Sequence, residues 1–206
     1  MQSGNNYCKQ KTIKMDKYIN KYLIPSARLK NWNYGNEGSY FVTICTKNRL
    51  HYFGEIYNGE MQLNKIGELV ESEWLQTFKL RSDMALELGE FIVMPNHFHG
   101  IIIIGNNEYN STVNFQLDEI KFESQAKNLA SIIRGFKSAV TTKVKKNCYD
   151  NDLMHVHCQD PKHCVSKVWQ PRFHDHIIRD ENSFERIQNY IVNNPKNWKE
   201  DKFFSA

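Results

Sequence analysis

The chain has 206 residues, 40% of them hydrophobic and 24% charged, which suits one domain with appendages and excludes wholesale disorder. Its longest apolar run, Ile101 to Ile104, is far short of the roughly 18 residues that span a bilayer, and no apolar stretch near the start marks a signal peptide, so a cytoplasmic location is expected. Lys plus Arg (27) exceed Asp plus Glu (23) for a formal charge of +4, so the placement of charge says more than its total.

Residues 1–37 read as a basic N-terminal arm: Lys9, Lys11, Lys14, Lys17, Lys21, Arg28 and Lys30 face only Asp16 and Glu37. A strand follows at Tyr40 to Thr46, rich in β-branched and aromatic residues. Asn58-Gly59 between 51–57 and 60–64 signals a hairpin. Ile66, Leu69, Val70, Trp74, Leu75 and Phe78 recur at helical spacing over 65–80. A strand from about Ala85 to Val93 is interrupted by Met94-Pro95-Asn96, and His97 to Ile104 continues extended.

An acidic, Asn-rich insertion near 105–126 precedes a second amphipathic helix over 127–146. That helix carries Lys127, Arg134, Lys137, Lys143, Lys145 and Lys146 and no acid, a second basic segment suited to a polyanion. A His- and Cys-rich insertion occupies 147–167, a short extended piece lies within Val168 to Ile178, and a last helix runs from about Ser183 to Asn193. Asn182 is its expected N-cap, with Glu185 three residues on and Pro195 beyond its end. These elements predict an α+β protein: a compact antiparallel sheet with helices on one face, forming one domain over 38–199. Five irregularly spaced cysteines predict reduced thiols.

The sharpest chemical feature is Pro95-Asn96-His97-Phe98-His99-Gly100, followed by the isoleucine run. In a strand, residues i and i+2 share a face, so His97 and His99 project together while Phe98 points into the core. Two neutral imidazoles so placed can share a metal ion, although a surface histidine pair has the same pattern. His155, His157, Cys158, His163 and Cys164 form a second candidate, for structural Zn²⁺, in an uncommon spacing that an exposed insertion would equally show. His174-Asp175-His176 has a charged middle residue and suits phosphate contact, or packing near the site, better than ligation. Tyr190 and Asn194, four apart, share a face of the last helix.

In combination these stretches resemble the single-tyrosine HUH transposases, with the REP-associated tyrosine transposases as the nearest branch. The matching segments are Gly38 to Thr46, Phe91 to His99, Ser131 to Ser138, Val168 to Arg179 and Ile187 to Pro195, in family order over about 26–199. The resemblance implies a ferredoxin-like, RRM-like sheet fold, with His97 and His99 as the HUH metal ligands and Tyr190 as the nucleophile. It implies Asn194 as the polar residue completing the metal site. It implies a single-strand DNA endonuclease and strand transferase that forms a 5′-phosphotyrosine on hairpin or repeat-associated DNA. A domesticated hairpin-binding protein with little or no cleavage is the alternative it leaves open. Homodimer and monomer both occur among such proteins.

Mg²⁺ is the expected ion, with Mn²⁺ able to substitute because it accepts imidazole more readily. Histidine ligation predicts that activity falls below about pH 6.5. Arg28, Lys30, Arg134, Lys137, Lys143, Arg172 and His174 are the candidate DNA contacts, with Trp32, Tyr34 and Trp169 as candidate base-stacking rings.

Overall fold

The computed structural model describes residue 29 and residues 32–110, 126–149 and 168–204, apart from the side chains at 148 and 149. The chain divides after Asn31, and the fold belongs to the unit Trp32–Ala206. Arg28 and Lys30 lie outside the described residues, as do the candidate zinc ligands His155, His157, Cys158, His163 and Cys164. Trp32 to Glu37, assigned by composition to the arm, pack on the domain. Tyr34 is buried, Trp32 Nε1 donates to the Tyr40 hydroxyl at 3.3 Å, and that hydroxyl donates to the Asn36 carbonyl at 2.9 Å.

The strands are β1 (Gly38–Cys45), β2 (Gly54–Tyr57), β3 (Glu60–Leu63), β4 (Leu86–Met94), β5 (His97–Ile104) and β6 (His174–Ile178). The helices are α1 (Lys65–Lys79), α2 (Leu129–Tyr149) and α3 (Glu181–Asn193). A four-stranded sheet has the order β4-β5-β1-β6 with every neighbour antiparallel. Read through β1, α1, β4, β5, α2 and β6, this is the ferredoxin-like β-α-β-β-α-β path. The β2–β3 hairpin is inserted ahead of α1. Its turn residues Asn58 and Gly59 have φ of 51° and 77°, the double positive φ that a type I′ turn requires.

Alternation along the strands builds two different faces. Tyr40, Val42 and Ile44 of β1 and Phe98, Ile102 and Ile104 of β5 pack against α1 and α2. Trp74 of α1 sits at the centre, its ring centroid 4.6 Å from that of Phe98 and 5.1 Å from that of Phe136. A Cβ on Gly100 would fall 2.8 Å from Trp74 Cζ2, so the strand can approach the indole only because residue 100 has no side chain. Helix α1 starts where Asn64 Oδ1 accepts from the amides of Ile66 and Gly67, at 2.9 and 3.0 Å.

The expectation of helices on one face holds for α1 and α2. Helix α3 lies on the other face, where Phe184, Ile187 and Ile191 pack with Ile101, Ile178, Phe41 and Ile92. Strand parity requires this. Phe98 turns inward toward α1 and α2, so His97, His99 and Ile101 face the opposite way and need their own cover. The start of α3 also differs from expectation: Asp180, not Asn182, is the N-cap, its carboxylate accepting from the Ser183 amide at 2.8 Å.

Candidate metal and nucleophile site

The register places the site residues in rows across the sheet. Thr43 on β1 pairs with His99 on one side and His174 on the other, and His99 also pairs with Ile92. One step along, His97 pairs with Cys45 and Met94. Both imidazoles are buried, with ring centroids 4.5 Å apart. They are roofed by Phe203, whose centroid is 4.6 Å from His97 and 5.8 Å from His99, and flanked by Trp198 and Phe41.

The buried Asn96 amide fixes the His97 ring. Its Nδ2 donates to the Phe203 carbonyl at 2.9 Å, so its Oδ1 is left to accept from His97 Nδ1, also at 2.9 Å. His97 therefore carries its proton on Nδ1 and presents a bare lone pair at Nε2. That nitrogen is buried with no hydrogen-bond partner. His99 contacts the Thr43 hydroxyl through Nδ1 at 2.9 Å and the Tyr190 hydroxyl through Nε2 at 3.2 Å. Burial, with the positive charges of Arg49 and Lys202, pushes His97 down to about 3. Burial and the neighbouring His97 hold His99 well below the ordinary imidazole value. Both rings are thus neutral, the form that ligates metals.

Helix α3 delivers the phenol. Tyr190 is partly exposed, stands edge-on to Phe41, and has its ring centroid 5.2 Å from that of His99. Past Asn194 and Pro195, a 3-10 turn at Trp198–Glu200 brings the chain back so that Asp201 meets the tyrosine. Asp201 Oδ2 accepts from the Tyr190 hydroxyl at 3.0 Å and from Asn194 Nδ2 at 2.9 Å, and Oδ1 accepts from the Phe203 amide. Burial, and next the Asp201 charge, raises the Tyr190 pKa above the ordinary phenol value. Left to itself the hydroxyl is a poor nucleophile.

The donor set fits a divalent cation. Ligand atoms of His97, His99 and Asp201 lie within 4.8 Å of one another. Asn194 is buried, and because its Nδ2 is committed to Asp201, its Oδ1, like His97 Nε2, is a buried atom without a hydrogen-bond partner. A buried polar atom left unsatisfied costs about 1–3 kcal/mol, which a ligated ion would relieve. The four expected residues His97, His99, Tyr190 and Asn194 converge. Asp201 was missed. It lies beyond the helix-ending Pro195 in a polar segment, with no spacing to tie it to the histidines.

The candidate DNA contacts do not converge in the same way. Arg134, Lys137 and Lys143 sit on α2, across the sheet from the histidines. Lys137 Nζ donates to the Gln170 and Arg172 carbonyls at 2.7 and 2.9 Å, and burial pushes it down to about 8, so its ammonium holds the approach to β6. Lys143 pairs with the buried Glu73. Trp169, expected as a stacking ring, is a core residue packed on Phe53 and Phe136, which removes both ring faces from DNA. Trp32 and Tyr34 likewise pack on the core. Arg172 and His174 are exposed, and His174 shares a row with Thr43 and His99.

The domain has the fold of the REP-associated tyrosine transposases. The solved structure of one bound to a REP hairpin superposes with a TM-score of 0.51 at 17% identity, covering 86% of this chain and 77% of that one. No family model matches the sequence. A protein of Haemophilus influenzae strain Rd, described as "Uncharacterized protein", is 36% identical over 182 residues, or 87% of this chain and 92% of that protein. The chain belongs to the same family as this Haemophilus protein.

Proposed function

We propose that the protein is a metal-dependent strand transferase of the single-tyrosine HUH class, acting on single-stranded DNA beside hairpins or repeats. One observation carries this reading: the Tyr190 hydroxyl lies 3.2 Å from His99 Nε2 and 3.0 Å from Asp201 Oδ2, beside two buried neutral imidazoles. The hairpin-bound transposase that shares the fold supports the choice of DNA as substrate.

His97, His99, Asn194 and Asp201 would hold the ion, Mg²⁺ in cells with Mn²⁺ as substitute. When bound, it supplies positive charge at the scissile phosphate. The Tyr190 oxygen attacks the phosphorus, the P–O3′ bond breaks, and a 5′-phosphotyrosine and a 3′-OH result. The tyrosine proton passes to Asp201 Oδ2, the carboxylate oxygen already accepting its hydrogen bond, and is returned from there to the departing 3′ oxygen, which leaves as the 3′-OH. The phosphodiester is exchanged rather than hydrolysed, so rejoining needs no nucleotide cofactor. Phe203, Trp198 and Phe41 keep bulk water from the imidazoles.

Arg134, Arg172 and His174 are assigned to DNA phosphates, with Arg28 and Lys30 of the arm. The protein would work in the cytoplasm; no helix among the described residues is long and apolar enough to cross a membrane. A labelled hairpin oligonucleotide with a single-stranded flank, incubated with Mn²⁺, tests the proposal. Wild type should give a covalent adduct stable to denaturation, and Tyr190→Phe none. Tight binding without adduct in wild type would favour the hairpin-binding alternative.

A further inference from the structure

A cleft of about 650 Å³ lies between the β2–β3 hairpin and the segment that follows α3, within the size range of ligand sites. Two exposed rings border it, Tyr57 on β2 (66% exposed) and Phe204 (42% exposed). Lys196 and Lys199 border it as well, and neither has a carboxylate partner among the described residues. Glu200 also lines the cleft, which leaves the rim with a net positive charge. Trp198 ties the cleft to the site. Its indole centroid is 5.4 Å from Phe204 and 5.9 Å from His97.

Exposed rings interleaved with unpaired lysines make the chemistry that holds single strands: bases stack on the rings and phosphates meet the cations. A paired base already has both faces stacked, so these rings suit unpaired bases and not a duplex. We propose that this cleft binds the single-stranded DNA flanking the bond that Tyr190 attacks, with bases on Tyr57 and Phe204 and phosphates on Lys196 and Lys199. Its direction rests on the strand-transfer reading above, since the cleft opens one indole away from His97. The DNA hairpin itself would sit elsewhere.

The test uses the full chain with Tyr190→Phe, so that binding is reversible, in buffer without divalent metal. Anisotropy compares a fluorescein-labelled hairpin bearing a flank of unpaired thymidines with the same hairpin cut blunt. The flanked probe should bind more tightly. Tyr57→Ala and Phe204→Ala should each weaken it at least about fivefold while leaving the blunt probe unchanged. Lys196→Gln and Lys199→Gln should each reduce the salt slope on the flanked probe by roughly 0.7. Equal affinity of the two probes, or equal loss on both, would overturn the assignment. Both rings are exposed, so the variants should fold, and thermal melting checks this. Independently, 5-iodouracil in the flank should photocross-link to Tyr57 or Phe204, and cross-links confined to α2 would also overturn it. None of these readouts needs an adduct, so failure of the cleavage assay and failure of this assignment are separate results.

Discussion

Asp201 and Tyr190 share a hydrogen bond of 3.0 Å, and the same carboxylate oxygen holds the Asn194 amide at 2.9 Å. One group thus orients the nucleophile and fixes the Asn194 amide, whose Oδ1 stays without a hydrogen-bond partner. Asp201→Asn keeps the shape but loses the charge and the proton acceptor. Single-turnover adduct formation should slow by about 10²-fold or more, with hairpin affinity unchanged. An unaltered rate, measured by quenched gel assay, would remove Asp201 from the chemistry.

Metal should stabilise the fold through the histidines. At a concentration about 100 times its dissociation constant, Mn²⁺ should add about 2.7 kcal/mol to the unfolding free energy. Thermal melts with and without the ion should show this shift in wild type and lose it in His97→Ala and His99→Ala. The same variants should abolish adduct formation yet keep most of the hairpin affinity.

Asn96 sets the His97 tautomer from behind, through a 2.9 Å hydrogen bond. Asn96→Ala would free the ring without removing a ligand. Mn²⁺ affinity should fall about 10–100-fold, as for other partners of ligating histidines. Calorimetric titration is the check, and wild-type affinity would deny the orienting role.

Acid should act first on stability. His97 is held at about 3 and His99 well below 6.5, whereas both titrate near 6.5 once unfolded. Below pH 6.5 the unfolded chain therefore binds more protons than the folded one. Stability falls with falling pH, by about 1.4 kcal/mol per unit for each histidine until its folded value is reached. Urea midpoints of the metal-free protein between about pH 7.5 and 5 should drop accordingly. For the same reason, loss of cleavage through ligand protonation belongs at lower pH than the free-imidazole value implies.

Gly100→Ala places a methyl 2.8 Å from Trp74 Cζ2. Overpacking of this kind costs about 1–3 kcal/mol, readable as a lower urea midpoint. Because residue 100 adjoins His99, the variant should also weaken Mn²⁺ binding.

Periodicity carried much of this architecture. Alternation at Phe98 and the helical spacing of Ile66, Val70 and Trp74 marked the faces that became the core. The same alternation already implied that the histidines face away from α1 and α2, so α3 had to cover the second face; taking all helices to one side ignored that parity. Lys137 and Trp169 show the opposite failure. Residue type made them DNA contacts, but tertiary packing committed the ammonium to two carbonyls and buried the indole. Asp201 had no local signal at all. It reaches Tyr190 only because the chain reverses after Pro195, a contact with no periodicity to announce it.

The two-residue repeat of β5 lets one strand answer to two masters. Its even-numbered positions see oil on α1 and α2, and its leading odd-numbered positions see the reactive centre. A library varied at 98, 102 and 104 should therefore tune thermal tolerance, and one varied at 97 and 99 should tune reactivity. Slipping the strand by a single residue would destroy both at once, so β5 should accept substitutions far more readily than insertions or deletions.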